Sequence, residues 1–219
     1  MTPDAVASYL KDHPEFFEEY ADFLASVYIP HPHGGRAISL HERQLEVLRE
    51  KHRAMEMKLA QLVRNGQDND VIADRLHQWT RQLLLAPDET ALPDAVTGGM
   101  EEVFSVPHVA LRLWGVRPAH RGLACAQPVE LDAVTLANSM QHPFCGPNAD
   151  FQAATWLPEG GAATRSIALL PLRKGAEPKA FGLLVLGSAD AERFQASMGT
   201  AFLERIAEIA SAALSRLVE

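Results

Sequence analysis

Cysteine is scarce in this sequence. Only Cys125 and Cys145 occur in 219 residues, and they form neither a CxxC pair nor a framework that would staple a small secreted fold, which points to a reducing, cytoplasmic setting. Long apolar runs are also missing. None approaches the ~20 residues a helix needs to cross a bilayer, and the N-terminus lacks the basic start and apolar core of a secretory leader. Basic residues are in the minority, 20 Lys and Arg against 28 Asp and Glu, for a net charge of -8. No global positive field draws in nucleic acid or an anionic membrane, so neither is an expected partner. No HExxH or paired-cysteine spacing occurs; His31, His33 and His41 surround a Pro and Gly connector without ligand spacing and read as solvated or capping histidines, so no metal site is expected. Gly98, Gly99 and Gly160, Gly161 lack the spacing and the following lysine of a phosphate-binding loop.

What is present is punctuated secondary structure. Thr2, Pro3 and Asp4 open a helix, and Val6, Leu10, Phe16, Phe17, Tyr20, Phe23, Leu24 and Val27 give two short helices broken near His13 and Pro14. Pro30, Pro32, Gly34 and Gly35 form a connector. Ser39 and Glu42 then make a capping-box pattern for a new helix. No proline follows until after Ala86. A seven-residue repeat runs through Leu45, Leu48, His52, Met55, Leu59, Leu62, Gly66, Asn69, Ala73, Leu76, Thr80 and Leu83, eight of the twelve apolar. Its leucines and methionine, Leu45, Leu48, Met55, Leu59, Leu62, Leu76 and Leu83, predict a dimer seam, while Asn65 and Gly66 predict a bend or break.

Asp88 opens a helix over Glu89 to Phe104. His108 to Trp114 alternates as a strand, with Val109, Leu111 and Leu113 on one face and Arg112 and Trp114 on the other. The stretch from Gly115 to Thr164 is rich in Gly, Pro and small residues, with a helix at Leu131 to Gln141, and is where a pocket is expected. Ser166 to Leu172 and Phe181 to Gly187 are short continuous apolar runs, the mark of strands covered on both faces. Phe202, Leu203, Ile206, Ile209, Ala210, Ala213, Leu214 and Leu217 recur at helical period and cover one of those faces.

The strand, turn, strand, helix order of this last segment, with Pro171, Gly182 and Phe194 at its joints, resembles the end of a GAF domain. The whole chain is similar to the bacterial DUF484 family. The similarity rests on Val6 to Pro14 with Phe16 and Phe17, on Ile29 to His31, on Ser39 and Glu42 to Gln44, on His142 to Gly146, and on Gly187, Ser188, Arg193, Phe194, Gly199, Thr200, Phe202 and Leu203. It implies an α+β fold: a GAF-like domain at 87–219 with a mostly antiparallel sheet flanked by helices, preceded by a helical head and connector at 1–38 and a long helix at 39–86. It implies no catalytic residues and leaves any cofactor unknown, because none of these motifs is a catalytic signature.

Among GAF ligands, bilins and cyclic nucleotides find no support, since neither cysteine is followed by histidine and no Asn-Lys dipeptide occurs. The candidate ligand-binding set is Arg112, Trp114, His142, Phe144, Cys145, Trp156 and Arg165, suited to a partly apolar pocket for a small molecule. The expected function is a non-catalytic, homodimeric sensor or regulator of a small molecule or protein. Two alternatives stand beside it: a thiol-dependent enzyme acting on a small sulfur compound through Cys145 or Cys125, and a constitutive scaffold without ligand.

Overall fold

The computed structural model of the chain describes residues 2–30, 37–175, 177–196 and 200–219. The chain divides into two compact units, Met1–Asn69 and Asp70–Glu219. In the first, α1 (Pro3–Asp12) begins where the Thr2 hydroxyl accepts a hydrogen bond from Ala5 N, with Pro3 in the first turn, Asp4 near the positive end and Lys11 near the negative end of the helix. The rest of the head is two pieces and not the single helix predicted, α2 (Glu15–Glu19) and α3 (Ala21–Ser26), because Tyr20 leaves helical geometry. An antiparallel pair, β1 (Tyr28–Pro30) and β2 (Ala37–Ser39), follows. His31, Pro32, His33, Gly34 and Gly35 lie outside the described residues, as does the side chain of His41.

The helix α4 (Leu40–Leu84) starts directly after Ser39 and runs 45 residues. It passes through Asn65 and Gly66 without the predicted break. One glycine costs a helix only about 1 kcal/mol, too little to interrupt a stretch that contains no proline.

The last turns of α4 belong to the second unit. There the Asp88 carboxylate accepts hydrogen bonds from Thr90 Oγ1 (2.5 Å), Thr90 N (2.8 Å) and Ala91 N (3.1 Å). These bonds, the Thr90 hydroxyl foremost, hold its pKa below the usual aspartate value. The cap is therefore complete at neutral pH and is lost as pH falls through the acid range. A single 3-10 turn precedes α5 (Leu92–Glu102), so the predicted Glu89 to Phe104 helix is shorter at both ends.

Four strands follow, β3 (His108–Leu113), β4 (Phe144–Pro147), β5 (Ser166–Arg173) and β6 (Ala180–Ser188), with α6 (Leu131–Ser139) before β4 and α7 (Ala201–Leu214) after β6. They form an antiparallel sheet in the order β3-β6-β5-β4. This is the α+β class predicted, a sheet flanked by helices and preceded by a long helix. The continuous apolar runs are explained by two cores, one on each face. Ala168, Leu170, Leu172, Leu184 and Leu186 point toward α7, α5 and the end of α4. Ile167, Leu169, Leu183 and Val185 point toward α6, Leu157 and the aromatics Trp114, Phe144, Phe151 and Trp156. Alternation at period two thus persists inside an unbroken apolar sequence, because both faces are dry. β4 covers only Ser166 to Leu169 of β5. On the uncovered remainder, Pro171 has no N–H to leave unpaired, and Arg173 N donates to the buried Ser211 hydroxyl at 3.0 Å.

Candidate functional site

A cavity of about 300 Å³ lies beside the edge strand β3. Pro93, Asp94, Thr97 and Glu101 of α5 line one side, Val109 to Arg112 of β3 another, and Leu123, Ala124, Cys125 and Trp156 complete it. Arg112 dominates its chemistry. The guanidinium donates to Leu111 O (3.1 Å), Ala124 O (3.4 Å) and Gln127 Oε1 (2.9 Å), and its carbon stands 5.9 Å from the centre of the Trp156 ring. One arginine thus caps a carbonyl of the edge strand, pins the turn at 124–127 across it and stacks on an indole.

The structure brings Arg112 and Trp156 together, but it does not gather all seven predicted ligand residues into one pocket. Trp114 sits one position past β3, donates from Nε1 to Ala180 O (2.6 Å), and shares the second core with Phe144 and Trp156. Phe144 packs edge-on against Phe151 at 5.1 Å. Cys145, the next residue on β4, points to the opposite face and joins the first core. Arg165 is exposed, and its backbone amide donates to Ser188 O. His142 lines a different, open cleft of about 880 Å³ between residues 141–143, the end of β5 and α7. There its Nδ1 lies 3.0 Å from Glu204 Oε1, which also accepts from Thr200 Oγ1. Sequence reasoning missed the main organiser of that cleft. Arg173, left in a polar turn by its neighbours, donates from Nη2 to Ala137 O (2.9 Å) and Met140 O (2.6 Å) at the C-terminal end of α6, and from Nε to Pro178 O (3.1 Å). It neutralises the negative end of that helix.

Both thiols are free and buried. Burial raises the pKa of each above the ordinary thiol value. Thiolate, the reactive form, is correspondingly depleted at neutral pH. Modification by an aromatic disulfide reagent at pH 8 is expected to be slower in the folded chain than in denaturant by about two orders of magnitude for both cysteines, since reaction awaits local opening. Rapid, stoichiometric labelling of one cysteine would favour the thiol-enzyme reading. Among the described residues no three His, Cys, Asp or Glu side chains converge on a metal-sized site, and no helix is long and apolar enough to cross a membrane.

The α4 residues predicted as a seam fall into two groups. Leu45, Leu48, Met55, Leu59 and Leu62 are 49% to 66% exposed. Leu76 instead packs against the first core and Leu83 is buried within it, so the end of the repeat serves the second unit's own packing. The residue that anchors α4 most firmly is Trp79, outside the repeat and fully buried. Its ring meets Phe104 edge-on at 6.0 Å. A Cβ placed on Gly99 of α5 would stand 2.1 Å from Trp79 Cδ1, so only glycine admits the indole there. α5 therefore has two working sides. Pro93, Asp94, Thr97 and Glu101 line the cavity, while Val96, Gly99 and Met100 face the core that holds Trp79.

The sequence profile described as "Protein of unknown function, DUF484" matches residues 1–219. The chain belongs to the DUF484 family. A relative, "Uncharacterized protein YigA" of Salmonella typhimurium, is 27% identical over 236 residues, covering 98% of this chain and 92% of its own. Solved structures similar to this DUF484 chain include the GAF domain from Acinetobacter phosphoenolpyruvate-protein phosphotransferase, at 14% identity and a TM-score of 0.47, over 66% of this chain and 92% of that one. The free methionine-R-sulfoxide reductase from Neisseria meningitidis is similar at 16% identity and a TM-score of 0.43, over 66% and 88% of the two chains.

Residues that carried the DUF484 resemblance have structural duties. Arg193 Nη2 donates to Phe104 O (3.1 Å) and Ser105 O (2.8 Å), closing the chain just beyond α5, where Ser105 takes a left-handed conformation. Phe194 and Leu203 are buried in the first core, and Phe202 packs on Phe104 at 5.4 Å. Ser188 Oγ accepts from Asp190 N at the end of β6. Arg193, Phe194, Phe202 and Leu203 therefore hold the ends of elements together around the first core.

Proposed function

We propose that this DUF484 chain is a non-catalytic regulatory protein acting as a homodimer in a reducing compartment. In this reading the GAF-like second unit takes a small molecule in the cavity beside β3, and α4 carries the occupied state to a paired seam at Leu45, Leu48, Met55, Leu59 and Leu62. The observation that carries it is the double role of α5, which walls the cavity on one side and holds Trp79 of α4 on the other. A ligand that favours one position of α5 shifts the population of α4 arrangements by its difference in affinity for the two. The cavity sits at the small end of ligand pockets. Its lining offers an indole face together with the Asp94 and Glu101 carboxylates and the Thr90 and Thr97 hydroxyls, which suits a compact molecule with an apolar body and hydrogen-bond donors.

The engagement of Arg112 by three acceptors of its own chain favours a second reading, a constitutive scaffold with an empty fold. Native mass spectrometry of the purified chain separates the two. The regulatory reading expects a retained small molecule, lost on Arg112→Ala, together with about 1 kcal/mol lower stability of the unliganded protein, because the guanidinium also ties β3 to its neighbouring turn. A bare chain that no small molecule stabilises against heat would leave the scaffold.

A further inference from the structure

The helical head carries a surface of one character. Residues 2–27 contain six carboxylates, Asp4, Asp12, Glu15, Glu18, Glu19 and Asp22, against Lys11 alone. No residue of α1 or α2 is buried. Tyr9 stacks on His13 at 4.2 Å and Phe16 on Tyr20 at 4.7 Å, yet Tyr9, Phe17 and Tyr20 remain 45% to 49% exposed. Helices of 10 and 5 residues are too short to persist on backbone hydrogen bonding alone and require a surface to pack against.

The chain supplies a surface of opposite character. Between Arg43 and Arg64, α4 holds six Lys and Arg against three Glu, and on that same stretch Leu48, Met55, Leu59 and Leu62 are each more than 60% exposed. Acidic and aromatic on one side meets basic and aliphatic on the other. We infer that the head docks on the basic half of α4 in a second copy of this chain. The inference rests on the homodimer proposed above. If the two α4 helices pair in parallel, both heads lie beside the N-terminal halves of both helices, and each head covers apolar surface that a two-helix seam leaves in water. The carboxylates of α2 then face Lys51 and Lys58.

Carbodiimide, which joins a carboxylate to a lysine only when they touch, tests this on the full chain. An equal mixture of normal and nitrogen-15-labelled protein should yield mixed-isotope cross-links between residues 15–22 and Lys51 or Lys58. Combining Arg49→Glu and Arg53→Glu, which leaves every reacting carboxylate and lysine in place, should lower their yield about tenfold, and adding Glu15→Lys, Glu18→Lys and Glu19→Lys should bring back association of the head, read as protection of α1 and α2 from amide exchange. Cross-links confined to one isotope, or none, in a protein that light scattering shows to be dimeric would overturn the docking and leave the dimer standing. A monomeric unmodified chain would remove the dimer and the docking together.

Discussion

Replacing Leu59 and Leu62 together with Asp is expected to halve the mass seen by light scattering, from twice the 24.0 kDa chain to a single copy. Both residues lie on the exposed part of α4, 62% and 65% accessible, so an intact monomer tolerates the change. In a paired seam each Leu contributes about 1.5–3 kcal/mol of burial, and an unpaired carboxylate adds a desolvation penalty of its own. Every 1.4 kcal/mol is tenfold in affinity, so a seam of micromolar strength weakens beyond detection at working concentrations. Helicity by circular dichroism should fall little, since neither residue belongs to the second unit. A chain already monomeric at micromolar concentration before substitution would contradict the seam.

Trp79→Ala is expected to cost about 3–5 kcal/mol of unfolding free energy, a large share of the ~5–15 kcal/mol that holds a domain together. The indole is fully buried between Gly99 and Phe104, and its removal opens a cavity in the first core. Its Nε1 has no hydrogen-bond partner among the described residues, so the loss is one of packing. Trp79→Phe should therefore recover part of the deficit. Denaturant midpoints followed by far-ultraviolet circular dichroism measure both, and a loss below about 1 kcal/mol for the alanine variant would mean the core closes over the gap and does not depend on α4.

The elements that sequence made legible are those whose signal is local. β5, β6 and α7 announce themselves by apolar runs and a helical stripe, and the start of α4 by a cap and the lack of proline after it. β4 was invisible, since Phe-Cys-Gly-Pro has neither length nor alternation and becomes a strand only because β5 offers it an edge. Trp79 escaped because a seven-residue repeat directs attention to one stripe of α4, while its last turns present a neighbouring stripe to the second unit. The site was legible only in part for the same reason. Arg112 and Trp156 meet as a pair 44 residues apart in sequence, whereas the acceptors of Arg173 and Arg193 are backbone carbonyls, which every residue carries and no motif marks. Where an arginine's partner is a helix end, charge patterning gives no clue to it.

In the proposed mechanism the state of α5 reaches the seam through Trp79 and α4. Gly99→Ala tests it without knowledge of any ligand, because the added methyl must displace Trp79 while the second unit stays folded, at a cost of about 1–3 kcal/mol. Amide hydrogen exchange should then change severalfold across Leu45 to Leu62, far along α4 from the substitution, as well as around Trp79. Altered exchange in α5 and the last turns of α4 with unchanged exchange from Leu45 to Leu62 would contradict the account, leaving α4 a passive tether.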